Sequence, residues 1–459
     1  MSKRIFSSIL VFFVVVLSLP FICGCNAPRE QLIAFNKYFE ASDFNSAAAF
    51  AEKNIQKRKN PDGEDLLWTL QAAAAKRILQ DYNSSTQLLD NAEKHLQYYD
   101  TRFSGGDEIA AIAINDNVMP YKGEEYDGVM ANTYKALNFL SENKSDLARV
   151  EFNRALDRQR RTKEKFEKEI KEAKEKIDKM QYGNLINQTI SDPKTEQTLH
   201  DKYPELYEYQ AYKDYTNPFV TYLASVYFNA AGETSTARDL LKETYGLVPE
   251  NKYVEEEFKE AENNKQIKNT VWLVFENGLG PTKEEFRIDL PLFIAISQVY
   301  YAGIALPKLQ YRDSAFPYLQ IEADGTQYNT AVVSNMDRVI HSEFKKDFDA
   351  ILMRAIISTT GKIVAQYALT QQGSNAANIG AMLIAAYSFA TNAADVRIWT
   401  ALPKEFQIAR FPKPQNKILK ITPFNAQSFD IELPNCDNVL VYIKIINRNS
   451  KPVYTIIPL

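Results

Sequence analysis

Ala136-Leu137-Asn138-Phe139, followed by Lys144-Ser145-Asp146-Leu147-Ala148 and then by Phe152 and Ala155, sets the pattern that decides the fold. A small residue is followed three positions later by an aromatic, then by a polar turn, an alanine twelve after the first, and a further aromatic and alanine. Small residues at helical spacing let two helices approach closely, and the aromatics fill the gaps beside them. The pattern returns around Ala237, with Ser225, Phe228, Gly232, Leu241 and Pro249. A weaker copy centres on Ser85, with Ala73, Asp81-Tyr82, Leu89 and Ala92, and the weakest on Ala47, with Tyr38 and Asp43-Phe44. One such unit cannot bury its own apolar face, so several must stack. Four helical pairs are expected, with insertions between them, since the equivalent small residues stand at 47, 85, 148 and 237. Residues 101–128, with Gly105-Gly106 and Pro120, read as one inserted loop.

The pattern resembles the tetratricopeptide repeat. That resemblance implies a solenoid whose first helices line a protein-binding groove, here Leu70, Gln71 and Lys76, then Asn132, Lys135 and Phe139, then Thr221, Tyr222 and Phe228. The partner-binding candidates are Asn132, Lys135, Phe139 and Tyr222, with the polar Asn132 and Lys135 expected to be exposed and dispensable for stability. Arg154, Arg158 and Arg161 share one helical face and are expected to pair with Glu151, Asp157 and Glu164. A second insertion begins in a long charged helix, Leu147 to Met180, whose narrow apolar seam (Phe166, Ile170, Ala173, Ile177, Met180) calls for one partner helix, near Tyr203–Tyr215 or in another protein.

From about Asn269 the texture changes to β-branched and aromatic runs separated by Gly, Pro and Asn turns. Strands are expected at 271–275, 286–290, 317–322, 405–410, 417–422, 428–433, 439–446 and 453–457, with helices at 336–366 and 376–394. The fold class is therefore mainly α with an α+β C-terminal domain: tetratricopeptide-like helical repeats over 25–265, then a small mixed or antiparallel sheet domain over 266–459. Each part has enough apolar residues for a core, so the two are expected to fold separately.

Residues 1–24 carry the marks of a secretory signal: Lys3 and Arg4, then an apolar run from Ile9 to Leu19 too short for a membrane span. Its end, Ile22-Cys23-Gly24-Cys25, resembles the bacterial lipobox, which implies cleavage before Cys25, lipidation of that cysteine and attachment to a membrane. Asn26 in place of Asp implies export to the outer membrane in a Gram-negative cell. The chain of 459 residues has net charge -4; without residues 1–24 it keeps 52 basic against 58 acidic residues, a balance that does not favour nucleic acid. Cys436 is then the one remaining thiol, expected to be buried. His95, His200 and His341 are scattered, with no metal-ligand spacing, and no cofactor is expected.

Motifs for chemistry are sparse. Asn277-Gly278-Leu279-Gly280-Pro281 with Lys283 lacks the Gly-Lys-Ser/Thr of a phosphate loop and reads as a turn between strands. His341-Ser342-Glu343 are neighbours on a helix and cannot face one another. The enzymatic alternative, action on envelope polymer, would have to use His341, Glu343 and Asp337. Tyr134–Asn138, Arg149–Ala155, Gly278–Lys283, Asn335–Asp337, Asp395–Trp399 and Leu402-Pro403 resemble an uncharacterised family of bacterial tetratricopeptide lipoproteins. Members of that family can be encoded near lipoprotein activators of penicillin-binding proteins. The resemblance implies a link to cell-wall synthesis; with the anchor and the repeats, the expectation is a periplasm-facing scaffold that is not an enzyme, is held to a membrane by its N-terminal lipid and binds envelope proteins through the groove, with no nucleic acid and no small-molecule substrate identified.

Overall fold

The computed structural model describes residues 27–55, 63–102, 121–178, 183–208, 210–262, 266–295, 298–370 and 393–459. Cys25 and its signal segment, most of the loop at 101–128, Tyr209 and nearly all of the expected helix at 376–394 lie outside the described residues. The chain is mainly α-helical with an α+β C-terminal part, as the sequence implied.

Four helix pairs form where the repeats were read: α1 (Ala27–Glu40) with α2 (Phe44–Asn54), α3 (Gly63–Ile78) with α4 (Tyr82–Arg102), α5 (Glu125–Ser141) with α6 (Ser145–Asp178), and, after the short helices α7 (Gly183–Ile190), α8 (Pro193–Lys202) and α9 (Glu205–Glu208), α10 (Pro218–Ala230) with α11 (Thr234–Leu247). Their turns are copies of one geometry. Each is three residues long, with the middle one left-handed: Ser42, Gln80, Asn143 and Gly232, at φ 62°, 61°, 58° and 84°. The next amide in each donates back five residues, from Asp43 to Tyr38, Asp81 to Lys76, Lys144 to Phe139 and Glu233 to Phe228, at 2.8–3.0 Å. Such bonds satisfy carbonyls that a helix C-terminus leaves open. Five residues after each left-handed position comes the small residue of the pattern, Ala47, Ser85, Ala148 or Ala237, and all four are fully buried. Only a small side chain fits where two helices cross this closely.

A further helix, α12 (Lys252–Ala261), leads to β1 (Thr270–Asn277), the middle strand of a five-stranded sheet. Beside β1 lie β10 (Val439–Ile445), parallel, and β7 (Glu405–Pro412), antiparallel; β11 (Val453–Pro458) and β6 (Ala331–Asn335) form the edges. Every residue of β1 and β10 is buried, so the sheet is covered on both faces. A second sheet orders β5 (Thr326–Asn329), β4 (Leu319–Ala323), β8 (Ile418–Pro423) and β9 (Phe429–Glu432). Tyr328 of β5 stacks on Phe411 of β7, tying the two sheets together.

The third sheet is a long two-stranded ribbon, β2 (Thr282–Ala295) with β3 (Gln298–Gln310). Against it run α13 (Met336–Thr370), α7 and α8. The sequence reading missed β3, a continuous apolar run without alternation, and the short strands β5 and β6. The Gly278–Pro281 segment is the expected turn: Gly278 has φ 66°, and a Cβ there would lie 3.1 Å from the Asp313 carbonyl. Cys436 is half-buried, not buried as expected, with Sγ 3.3 Å from the Asn438 carbonyl.

Helices and sheets do not bury separate cores. One apolar cluster runs from Leu32 and Phe35 in α1 through Tyr134 and Phe219 to Trp272, Phe406 and Ile457. The change of texture near Asn269 marks a change of element type, while the packing continues across it.

Candidate functional site at the helix–sheet interface

The face a solenoid would offer to a partner is covered by the chain's own sheet. Strand alternation puts Trp272 and Glu276 of β1 on one side, with Phe406 and Arg410 opposite them on β7 and Lys444 opposite Glu276 on β10. Phe219 at the start of α10 stacks on Phe406 at 3.7 Å. Tyr134 of α5 meets Trp399 edge to face at 5.8 Å. Gln71 of α3 donates to Thr400 Oγ1 at 2.9 Å and accepts from the Ala401 amide at 3.3 Å, while Thr400 bonds Asn36 of α1 at 2.6 Å.

At the centre of this interface lies a buried charge. Glu276 is 1% exposed and is bound by Lys444, by Tyr134 Oη at 3.0 Å and by Tyr442 Oη at 2.5 Å. Arg77 lies over both tyrosine rings, 5.2 and 5.0 Å from their centroids, and donates to Asn138 at 2.8 Å. Burial opposes the charge on Glu276, but Lys444, Tyr442 and Arg77 outweigh it and hold the carboxyl below its ordinary range. The cavity beside this group measures about 20 Å³, room for about one water and far below what a small-molecule ligand needs. Glu257 repeats the arrangement in smaller form, accepting from Tyr222 Oη at 2.5 Å and from Trp272 Nε1 at 3.1 Å.

The expected groove residues therefore need correction. Asn132, Lys135, Thr221, Tyr222, Leu70, Gln71 and Phe228 are all buried, while Phe139 and Lys76 are partly so. Lys135 sits between helices, with Nζ 2.7 Å from Asp90, 2.8 Å from Glu93 and 3.0 Å from Glu151. Asn132 donates to Glu151 at 2.7 Å and accepts from Arg158 at 2.9 Å. Arg154 pairs with Glu151 at 2.9 Å and Arg161 with Asp157 at 2.7 Å, as read from their spacing, whereas Arg158 turns inward to Asn132. Helical spacing located these first-helix residues correctly, but it could not tell a face open to solvent from one packed on another part of the chain.

His341, Glu343 and Asp337 are each committed elsewhere along α13. His341 Nδ1 lies 2.7 Å from Tyr311 Oη, and burial lowers its pKa to about 4. Glu343 accepts from the amides of Glu125 and Tyr126 at 2.9 and 3.0 Å, capping α5 from outside. Asp337 is paired with Lys404, yet burial still raises it to about 6. Near the Glu343 cap, Asp127 accepts from Tyr121 Oη at 2.5 Å and the Glu124 amide at 3.0 Å. Its Oδ1 has no hydrogen-bond partner among the described residues, and burial pushes it up to about 7. Sequence reading missed the Glu276–Lys444 pair, although its signal was visible: a single charge of each sign inside the two most apolar strands, Thr270–Asn277 and Val439–Ile445. The interface defines a helical-repeat protein whose inner face is filled by its own mixed sheet. Compared with protein-family models, curated proteins and solved structures, the chain matches none.

Proposed function

We propose that the chain is a lipid-anchored, non-enzymatic scaffold of the bacterial cell envelope, facing the periplasm from the outer membrane and taking protein partners on its outer surface. The observation that carries this reading is the run Ile22-Cys23-Gly24-Cys25 closing a signal-like segment. The first helix among the described residues begins at Ala27, so lipid on Cys25 would sit two residues from the folded body. Three acyl chains make such an anchor effectively permanent, at about 0.8 kcal/mol per buried methylene. The structural engagement of Asp337, His341 and Glu343 supports binding over chemistry, since each side chain is already used in packing or capping. With the inner face filled, partners would meet outer positions such as Leu147 and Val150 of α6, which are 47% and 44% exposed.

The test is Cys25→Ser in the producing cell, with fractionation and labelling by radioactive palmitate. The expected result is loss of label, with protein released to the soluble fraction or left as uncleaved precursor. A mature-sized variant that still pellets with membranes through salt and carbonate washes would overturn the anchor.

A further inference from the structure

Charge does not balance around the cavity beside Glu276. Two cations line it, Arg77 from α3 and Lys444 from β10, against the single carboxylate of Glu276. That carboxylate is already engaged on both sides: one oxygen accepts from Lys444 and Tyr134 Oη, the other from Tyr442 Oη. Arg77 is placed differently. Among the described residues no carboxylate lies within ion-pair distance of it; it donates one of its five N–H groups to the Asn138 side-chain oxygen at 2.8 Å and lies over the rings of Tyr134 and Tyr442. The ring faces attract a guanidinium without cancelling its charge.

A third cation deepens the excess. Arg312 is paired with Glu40 at 2.9 Å, but that carboxylate is exposed and screened by water, so it offsets little in the interior. Burial lowers the Lys444 pKa, and although Glu276 opposes this, Arg77 and Arg312 both add to it. The neighbourhood of Lys444 is therefore more positive than its one carboxylate can neutralise.

The size of the cavity limits what can answer that excess. At about 20 Å³ it holds one water-sized body. Sulfate, phosphate and carboxylate ligands are too large, whereas a halide ion is close to water in size. Three donors border the space: the Arg77 guanidinium, the Lys444 ammonium and the hydroxyl of Thr455 on β11, which shares a 2.6 Å hydrogen bond with Tyr82 Oη. With Tyr82 as donor in that bond, the Thr455 proton can turn toward the cavity.

We propose that this cavity binds a single halide ion, chloride under ordinary conditions, held by Arg77, Lys444 and Thr455. The ion would join α3 of the helical part to β10 and β11 of the sheet and neutralise the surplus charge between them. Water is the competing guest. It can satisfy the same donors, but it leaves the excess charge where it is, in surroundings that solvate charge poorly. Arg77 and Thr455 are only half-buried, so the ion exchanges with solvent on their side. The proposal is independent of the lipid anchor.

The experiment uses the full mature chain carrying Cys25→Ser, which leaves it without acyl chains, melted in sodium chloride, sodium bromide or sodium gluconate at one ionic strength. Gluconate is too large for the cavity. Either halide is expected to raise the melting midpoint by about 2–4 °C over gluconate, and the shift should saturate on titration, as general screening does not. Arg77→Gln removes the charge and keeps an amide donor for Asn138, while Thr455→Val removes the hydroxyl; each should reduce the halide shift by about half or more. A crystal grown in bromide should show an anomalous peak between Arg77 and Lys444. Equal melting in halide and gluconate overturns the proposal, as does a halide shift that both variants keep in full. A water in the cavity with no anomalous signal overturns it too. Should Arg77→Gln fail to fold, Thr455→Val and the bromide crystal decide.

Discussion

The helix–sheet interface and the β2–β3 ribbon deal with the same problem in opposite ways. Charge brought inside the body is paired: Lys135 with three carboxylates, and Glu276 with Lys444 and two tyrosines. From Leu290 to Leu306, the outer stretch of the ribbon, charge is left out of the sequence altogether. A buried pair is expensive to desolvate, and removing one partner strands the other, so pairing fixes which groups meet without adding much net stability. Leaving charge out costs nothing in desolvation. The body is therefore specified by which charged groups meet inside it, whereas the outer stretch of the ribbon carries no such charged group in its sequence.

The sharpest way to break this comparison is to separate the helices from the sheets. Because the sheet fills the inner face of the helix pairs and one core spans both, fragments 25–262 and 266–459 should each fail to unfold cooperatively when alone, and should recover a cooperative transition when co-expressed. Two independent melting transitions would show that the interface is a docking contact and not a shared core.

The next effect in size is Lys135→Met. It leaves Glu93 and Glu151 buried with Arg154, and for Glu93 also Arg158, as remaining cations and should cost about 3 kcal/mol in urea denaturation. Adding Glu93→Gln should recover part of the loss. A cost of about 0.5 kcal/mol or less, the usual value for an exposed position, would return Lys135 to the surface.

The third test is pH. Folding raises Asp127 to about 7 and Asp337 to about 6, both above the ordinary 3.8, so the native state holds these protons more tightly than the unfolded chain does. Their contribution should accordingly grow as pH falls from 8 toward 6 and be lost as pH climbs through 6 to 7, while below about 6.5 His341, held near 4 by burial, works against it. Glu276 and Asp395 are shifted the other way, so their contribution disappears below the ordinary carboxylate range. Asp127→Asn should raise stability at pH 8 by about 1–3 kcal/mol and do little at pH 5. A gain equal at both pH values would mean that Asp127 is not carrying the slope.

Local pattern was enough for the helix pairs, because the small residue at 47, 85, 148 and 237 and the turn five residues before it are determined within about twenty residues of chain. The same holds for β1, β7 and β10, whose apolar alternation or continuity is local. It failed for β3, whose run through Tyr300-Tyr301-Ala302-Gly303 has no period. For the site, the chemistry of Asn132 and Lys135 was read on the correct helix, yet their surroundings were not.

By itself the sequence determined the fold class, the fourfold repetition of the helix pairs and the absence of charge along the outer ribbon, because each follows from residue type and spacing over short range. Only the tertiary structure decided that the inner helical face is occupied by the chain's own sheet, that Lys135 lies between three carboxylates, and that Glu276 meets Lys444 across strands 168 residues apart. These depend on which surfaces come together over long separations, where burial and the desolvation of charge outweigh any local preference.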